Sequence, residues 1–217
     1  MAKIKSIIYD LDGTLISTLK LHRSAWLAAG KKFNIRIAKK MLSDQRGMSD
    51  EAAALMMLLK GKKQLLQQFR EAKQEYAWKN IGKITLFPEA VKTINALTRK
   101  GYKVWICTSA YRFFVKKVLS LFPELKAALK NNIVWREMYK KPKPAPDPLN
   151  LTIKKMGLKK SEACYIGDAP KDYQACLNAK VKFVYFCPNA GSRDSKIPRT
   201  VPLIRNHKGI FEKILLF

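Results

Sequence analysis

Acidic residues are scarce in this 217-residue chain: 16 Asp and Glu stand against 43 Lys and Arg, a formal net charge of +27. Long apolar runs are missing as well. No stretch approaches the roughly 18 uncharged apolar residues that a membrane-spanning helix needs, which excludes a helical membrane protein. The segment Met1-Ala2-Lys3-Ile4-Lys5 has no apolar signal-peptide core, so the expected location is the cytoplasm. The four cysteines (Cys107, Cys164, Cys176 and Cys187) are too far apart for a CxxC metal site. They read as buried thiols of a reducing compartment. There is no internal repeat and no low-complexity tract, and a hydrophobic content of 47% excludes a disordered chain. The charge admits a nucleic acid as partner, but no nucleic-acid-binding motif accompanies it, and lysines spread from Lys3 to Lys213 serve solubility equally well.

Because acids are few, their placement is informative. Ser6-Ile7-Ile8-Tyr9 runs into Asp10-Leu11-Asp12-Gly13-Thr14, and Cys164-Tyr165-Ile166 runs into Gly167-Asp168-Ala169-Pro170-Lys171-Asp172. In both phrases an apolar, strand-like run turns acidic at its end, which is where open α/β sheets place ligands. Carboxylates gathered there repel one another unless a hard cation such as Mg²⁺ lies between them. Taken alone, the Asp10–Asp12 pair also suits a turn held by side-chain-to-backbone bonds. Two further groups shift the balance towards chemistry. The strand-like run Tyr102–Cys107 ends in Thr108-Ser109, hydroxyls at the start of a helix, where anions bind. Lys143 sits in the proline-stiffened loop Lys143-Pro144-Ala145-Pro146, a cation held in a fixed place.

Strand and helix patterns alternate after Thr85: a helix opened by Pro88, a strand over 102–107, a helix over 111–121, a short strand over 132–135, a helix ending near Gly157, and then strand 163–166, helix 173–179 and strand 183–186. Such alternation specifies a parallel sheet with helices on both faces. Between the first strand and this series, residues 19–82 read as helical throughout. The expected organisation is an α/β, Rossmann-like core of residues 1–18 and 83–217 with an inserted α-helical cap of residues 19–82.

With these motifs in this order, the chain resembles the haloacid dehalogenase superfamily of phosphohydrolases, within the subgroup of phosphoglycolate phosphatases and β-phosphoglucomutases. The resemblance implies that Asp10 is a nucleophile forming an aspartyl-phosphate and Asp12 a general acid/base. It assigns Thr108, Ser109 and Lys143 to phosphate binding. It implies Mg²⁺ held by Asp10, Asp12 and Asp168, with Asp172 either a direct ligand or a group behind the first layer. In the cap it points to His22 and Arg46 as substrate contacts, although His22 also suits simple core packing and Arg46 a solvated cation. The implied activity is hydrolysis of a small phosphorylated metabolite such as phosphoglycolate, a sugar phosphate or a nucleotide, by a monomer or homodimer. Two alternatives accompany it: a β-phosphoglucomutase-like phosphotransferase and a basic nucleic-acid-binding protein on the same scaffold. Asp12 argues against a dehalogenase, which needs no second carboxylate.

Overall fold

The computed structural model describes residues 3–44, 50–58, 62–188 and 193–217. Its strands are β1 (Ser6–Tyr9), β2 (Ile16–Ser17), β3 (Thr85–Leu86), β4 (Lys103–Cys107), β5 (Ile133–Val134), β6 (Ala163–Gly167), β7 (Lys182–Phe186) and β8 (Leu203–Ile204). Its helices are α1 (Leu19–Lys32), α2 (Lys39–Asp44), α3 (Asp50–Met57), α4 (Leu66–Lys79), α5 (Ala90–Arg99), α6 (Arg112–Leu121), α7 (Pro123–Leu129), α8 (Asp147–Met156), α9 (Pro170–Ala179) and α10 (Ile210–Lys213). The chain forms two compact units, one of residues 1–16 with 86–217 and the other of residues 17–85. None of the described helices is long and apolar enough to cross a membrane.

In the larger unit six strands lie in the order β5-β4-β1-β6-β7-β8, every pair parallel. From β1 the chain moves one way to β4 and β5, then crosses back to β6 and continues through β7 to β8. Because parallel crossovers are right-handed, the two directions of travel put their helices on opposite faces, α5 to α7 on one and α8 with α9 on the other. The period-2 alternation of the strands supplies both faces. Ile8, Cys107, Tyr165, Phe183 and Tyr185 pack with Leu149, Ile153 and Met156 of α8 and Ala175, Cys176 and Ala179 of α9. From alternate positions, Tyr9 and Phe186 meet Phe87 and the buried His207 in one aromatic group. Strands sandwiched in this way are apolar on both sides, which is why β1 and β6 read as continuous hydrophobic runs. All four cysteines are buried thiols without a disulfide.

Five elements were not visible in the sequence pattern: helices α7 and α10, the edge strand β8, and the paired short strands β2 and β3 at residues 16–17 and 85–86. Each is short, so its two to seven residues carry too little periodicity to stand out.

The smaller unit is a helical cluster. Trp26 and Ala29 of α1, Ala53, Ala54 and Met57 of α3, and Phe69 and Ala72 of α4 recur at helical spacing and bury one another. The Trp26 and Phe69 rings lie 5.5 Å apart. Lys73 is also on this buried face. Its ammonium is held by both Asp50 carboxylate oxygens at 2.8 Å and lies 5.3 Å from the centre of the Trp26 ring. Phe69 is fully buried at the centre of this cluster. Phe69→Ala should therefore destabilise this unit by about 3–5 kcal/mol, read by chemical denaturation. A loss below about 1 kcal/mol would show that this cluster does not hold the unit together.

Candidate active site

Parallel pairing brings the carboxyl ends of β1, β4 and β6 side by side. Tyr9 pairs with both Ile106 and Ile166, and the Asp10 amide donates to the Ile166 carbonyl at 2.9 Å. The residue after each strand, or its last, therefore faces the same point: Asp10 beyond β1, Thr108 beyond β4, and Gly167-Asp168 at the end of β6.

After Asp10 the chain turns sharply. The Leu11 carbonyl accepts from the amides of Thr14, Leu15 and Ile16, and Gly13 adopts φ +84°. That conformation favours glycine, and a Cβ on Gly13 would collide with the Asp168 carboxylate. The turn thus presses its backbone against Asp168, while the Thr14 hydroxyl donates to Asp168 Oδ1 at 3.4 Å. A Cβ on Gly167 would lie 2.7 Å from Asp172 Oδ2, so close approach governs that position too. Asp172 is in the first turn of α9 and fully buried, and its Oδ2 accepts the Ala169 amide at 3.1 Å.

Lys143 ties the set together. Its buried ammonium donates to Asp172 Oδ1 at 2.6 Å, to the Tyr165 hydroxyl at 2.7 Å and to Asp10 Oδ1 at 3.0 Å. Tyr165, fully buried in β6, donates its own hydrogen bond to the Cys107 carbonyl at 3.0 Å. Thr108 is buried at the end of β4, where its hydroxyl accepts the Ala110 amide at 3.1 Å and its carbonyl accepts the Tyr139 hydroxyl at 2.9 Å. The Ser109 hydroxyl is buried beside it, next to the Tyr139 hydroxyl.

The electrostatics follow from burial and from an excess of negative charge. Burial pushes the Asp10 carboxyl up to about 6, with Lys143 pulling it down and Asp172 adding to the rise. Asp168 is only part-buried as a residue, yet loss of water around its carboxyl and repulsion from Asp172, Asp10 and Asp12 raise it well above the ordinary range. For Lys143, burial disfavours the charged form, but the attraction of Asp10 and Asp172 outweighs it and keeps the amine protonated. Oxygens of Asp10, Asp168 and Asp172 lie within 4.8 Å of one another. Three carboxylates against one ammonium leave two uncompensated negative charges when all are ionised (−3 + 1). Hard oxygen donors with that residual charge suit a divalent cation of the Mg²⁺ type.

Of the residues expected from sequence, Asp10, Lys143, Asp168 and Asp172 meet directly, with Thr108 and Ser109 at the adjoining strand end. Asp12 lies part-exposed within the turn that follows Asp10. His22 is part-exposed in the first turn of α1, in the other compact unit, and Arg46 lies outside the described residues. Sequence reading missed Tyr165. The available signal was a hydroxyl-bearing ring two residues before Gly167 in a strand fit to be buried, since a buried tyrosine hydroxyl usually has a partner.

A parallel α/β sheet with clustered carboxylates and a buried lysine beyond its strand ends defines a doubly wound protein whose side chains at that edge could hold a cation. The comparisons give the family. The model for haloacid dehalogenase-like hydrolases matches residues 7–186, and the chain belongs to that family. It is 26% identical to the pyrophosphatase PpaX of Bacillus velezensis over 190 residues, covering 83% of this chain and 82% of the relative. It is 25% identical to the phosphoglycolate phosphatase of Aquifex aeolicus over 186 residues, covering 82% and 83%. A crystal structure of a predicted phosphoglycolate phosphatase from Haemophilus somnus superposes with a TM-score of 0.82 at 21% identity, over 98% of this chain and 99% of the other.

Asp10 titrates above its ordinary value of 3.8, so the folded, metal-free protein holds this proton more tightly than the unfolded chain. Its stability contribution is intact below about pH 4 and is lost as pH rises towards about 6. In EDTA, Asp10→Asn should therefore raise Tm by about 2–4 °C per kcal/mol of relieved repulsion at pH 7.5 and leave it unchanged near pH 4, measured by calorimetry. A lower Tm for the variant at pH 7.5 would mean that the Lys143 pairing outweighs the burial of Asp10.

Proposed function

We propose that this haloacid dehalogenase-type phosphatase is a Mg²⁺-dependent phosphoric monoester hydrolase that works through an aspartyl-phosphate on Asp10. The observation that carries this reading is the contact between the buried Asp10 carboxylate and the Lys143 ammonium inside a three-carboxylate cluster. The neighbouring Lys143 ammonium favours the ionised, attacking form of Asp10 against the cost of its burial. Its carboxylate oxygen bonds to phosphorus as the ester P–O bond breaks, and Asp12, as general acid, protonates the departing alkoxide. Asp12 then takes a proton from water, whose oxygen attacks the phosphorus of the aspartyl-phosphate, releasing phosphate and restoring Asp10.

Lys143 and the Thr108 hydroxyl are the groups fit to hold the phosphoryl oxygens, with the Ser109 hydroxyl beside them. Asp10, Asp168 and the Asp12 backbone carbonyl would hold Mg²⁺, which when bound neutralises the carboxylates and draws charge from the phosphoryl group. Both Asp172 oxygens already accept hydrogen bonds, from Lys143 and from the Ala169 amide, so we assign Asp172 to positioning the lysine. Residues 17–85 act as a cap in this reading, with His22 and Arg46 as contacts for the leaving group. Small phosphorylated metabolites are the substrate class, and the names of the relatives put pyrophosphate and phosphoglycolate first on the panel.

Asp10→Asn should lower kcat by several orders of magnitude with the fold intact by circular dichroism, and fluoroberyllate should place beryllium on the Asp10 carboxylate in a crystal. An active Asp10→Asn enzyme would sink the mechanism. Asp12→Asn should slow alkyl phosphates by roughly 10²–10⁴-fold and p-nitrophenyl phosphate much less, because a good phenolate leaving group needs little protonation. Equal losses would reduce Asp12 to a positional role. Full turnover in excess EDTA would exclude the cation.

A further inference from the structure

The start of α6, three residues past Thr108, carries a feature that phosphoryl transfer does not use. Tyr111 is the residue before the helix, in extended conformation, and Phe113 is its second residue. Their rings lie nearly parallel and offset, with centroids 6.2 Å apart and an interplanar angle of 21°, although they are 54% and 61% exposed. Large exposed aromatics are ordinary one at a time, whereas two held nearly parallel and offset at a surface present a ready-made apolar platform.

The surroundings hold the platform in place. Glu137 accepts the Arg112 amide with both carboxylate oxygens, at 3.1 and 3.0 Å, and thereby caps α6 from another loop. The N-cap position is thus relieved of the usual short polar side chain and carries Tyr111 instead. The Arg136 amide donates to the Ala110 carbonyl at 3.0 Å, and the Tyr139 hydroxyl to the Thr108 carbonyl. Segments 108–113 and 135–139 therefore form one ledge. On it the Arg112 guanidinium lies 5.6 Å from the Trp135 ring centre and that of Arg136 lies 5.3 Å from Tyr139. From Thr108 to Lys143 the chain carries nine Lys and Arg against two acids, Glu124 and Glu137. Three residues of chain span at most roughly 10 Å between Thr108 and Tyr111, a distance in the range of a sugar and base attached to a phosphate.

We propose that the Tyr111–Phe113 stack is a base-binding platform, and that the phosphorylated substrate of this site is a nucleoside phosphate. The inference rests on the phosphatase reading for the site of turnover but not for the stacking itself. Aromatic faces next to cations are what a base and its phosphate jointly require, and stacking tolerates any base because every base has a π face. An apolar protein partner fits less well, because the platform is set in strongly cationic surroundings. The shared chemistry is a phosphorylated nucleoside, either free or at the end of a strand.

The test compares the full-length enzyme with the Tyr111→Ala/Phe113→Ala double variant in Mg²⁺. Both side chains are exposed, so the fold should survive. The readout is the ratio of kcat/KM for nucleoside 5′-monophosphates to that for ribose 5-phosphate, which lacks only the base. The ratio should exceed one in the native enzyme and fall about 10- to 100-fold in the double variant, the worth of one stacked base. The conservative variant Tyr111→Phe/Phe113→Tyr should restore it. Titrating 2-aminopurine riboside 5′-monophosphate without Mg²⁺ supplies a readout independent of turnover, since stacking quenches its fluorescence. Quenching by an inactive native protein, lost in the double variant, would uphold the platform while overturning the phosphatase reading. A 5′-phosphorylated oligonucleotide that binds more tightly than the mononucleotide, with a steep salt dependence, would identify a strand end; equal binding with shallow salt dependence would identify a free nucleotide. A native ratio of one with no quenching would overturn the proposal.

Discussion

One ammonium group organises this molecule's chemistry. Lys143 joins Asp10 beyond β1 to Asp172 in α9 and to Tyr165 in β6, and Tyr165 in turn reaches the last carbonyl of β4. Three strand ends and one helix are thereby referred to a single buried charge. Burying an ammonium alone is prohibitive, and burying three carboxylates without it would be worse. The site exists because each opposes the other, and the remaining negative charge defines what must come from outside. The parallel sheet supplies the geometry, since only parallel strands deliver their carboxyl ends to one edge.

Much of this was legible in the sequence, for identifiable reasons. Asp10, Asp168 and Asp172 stood out because a chain poor in acids places them where apolar runs stop, a local pattern. Lys143 was legible only through its proline-rich loop and the order of the motifs; no local feature sets it apart from dozens of other lysines. Tyr165 escaped because its part depends on a contact 22 residues away in the chain, and a tyrosine in a strand reads first as core. The Glu137 cap on α6 escaped for the same reason, since a cap supplied from 25 residues downstream leaves no capping signal beside the helix. Helix α7 and strand β8 were missed because they are short. Arg46 falls outside the described residues, so its expected role stands on resemblance alone.

The charge of the chain has two scales. Scattered lysines act at long range and are screened by salt within about 8–10 Å, so they favour the arrival of anions without choosing among them. Choice requires fixed geometry, and fixed geometry is found where a positive group is held by neighbours: Lys143 among its three partners, and Arg112 and Arg136 against aromatic rings.

An ammonium has three N–H bonds to give, and in Lys143 all three are already directed to Asp10, Asp172 and Tyr165. A phosphoryl oxygen arriving at this lysine cannot simply be added to its partners. It must exchange with one, and Tyr165 is the neutral member of the three, with the Cys107 carbonyl still available to its hydroxyl. In the proposed mechanism, capture of the phosphoryl group is thus a trade of one hydrogen bond for another, a neutral acceptor for a charged one. In the same mechanism, release of inorganic phosphate runs the trade in reverse, with the Tyr165 hydroxyl returning to the lysine.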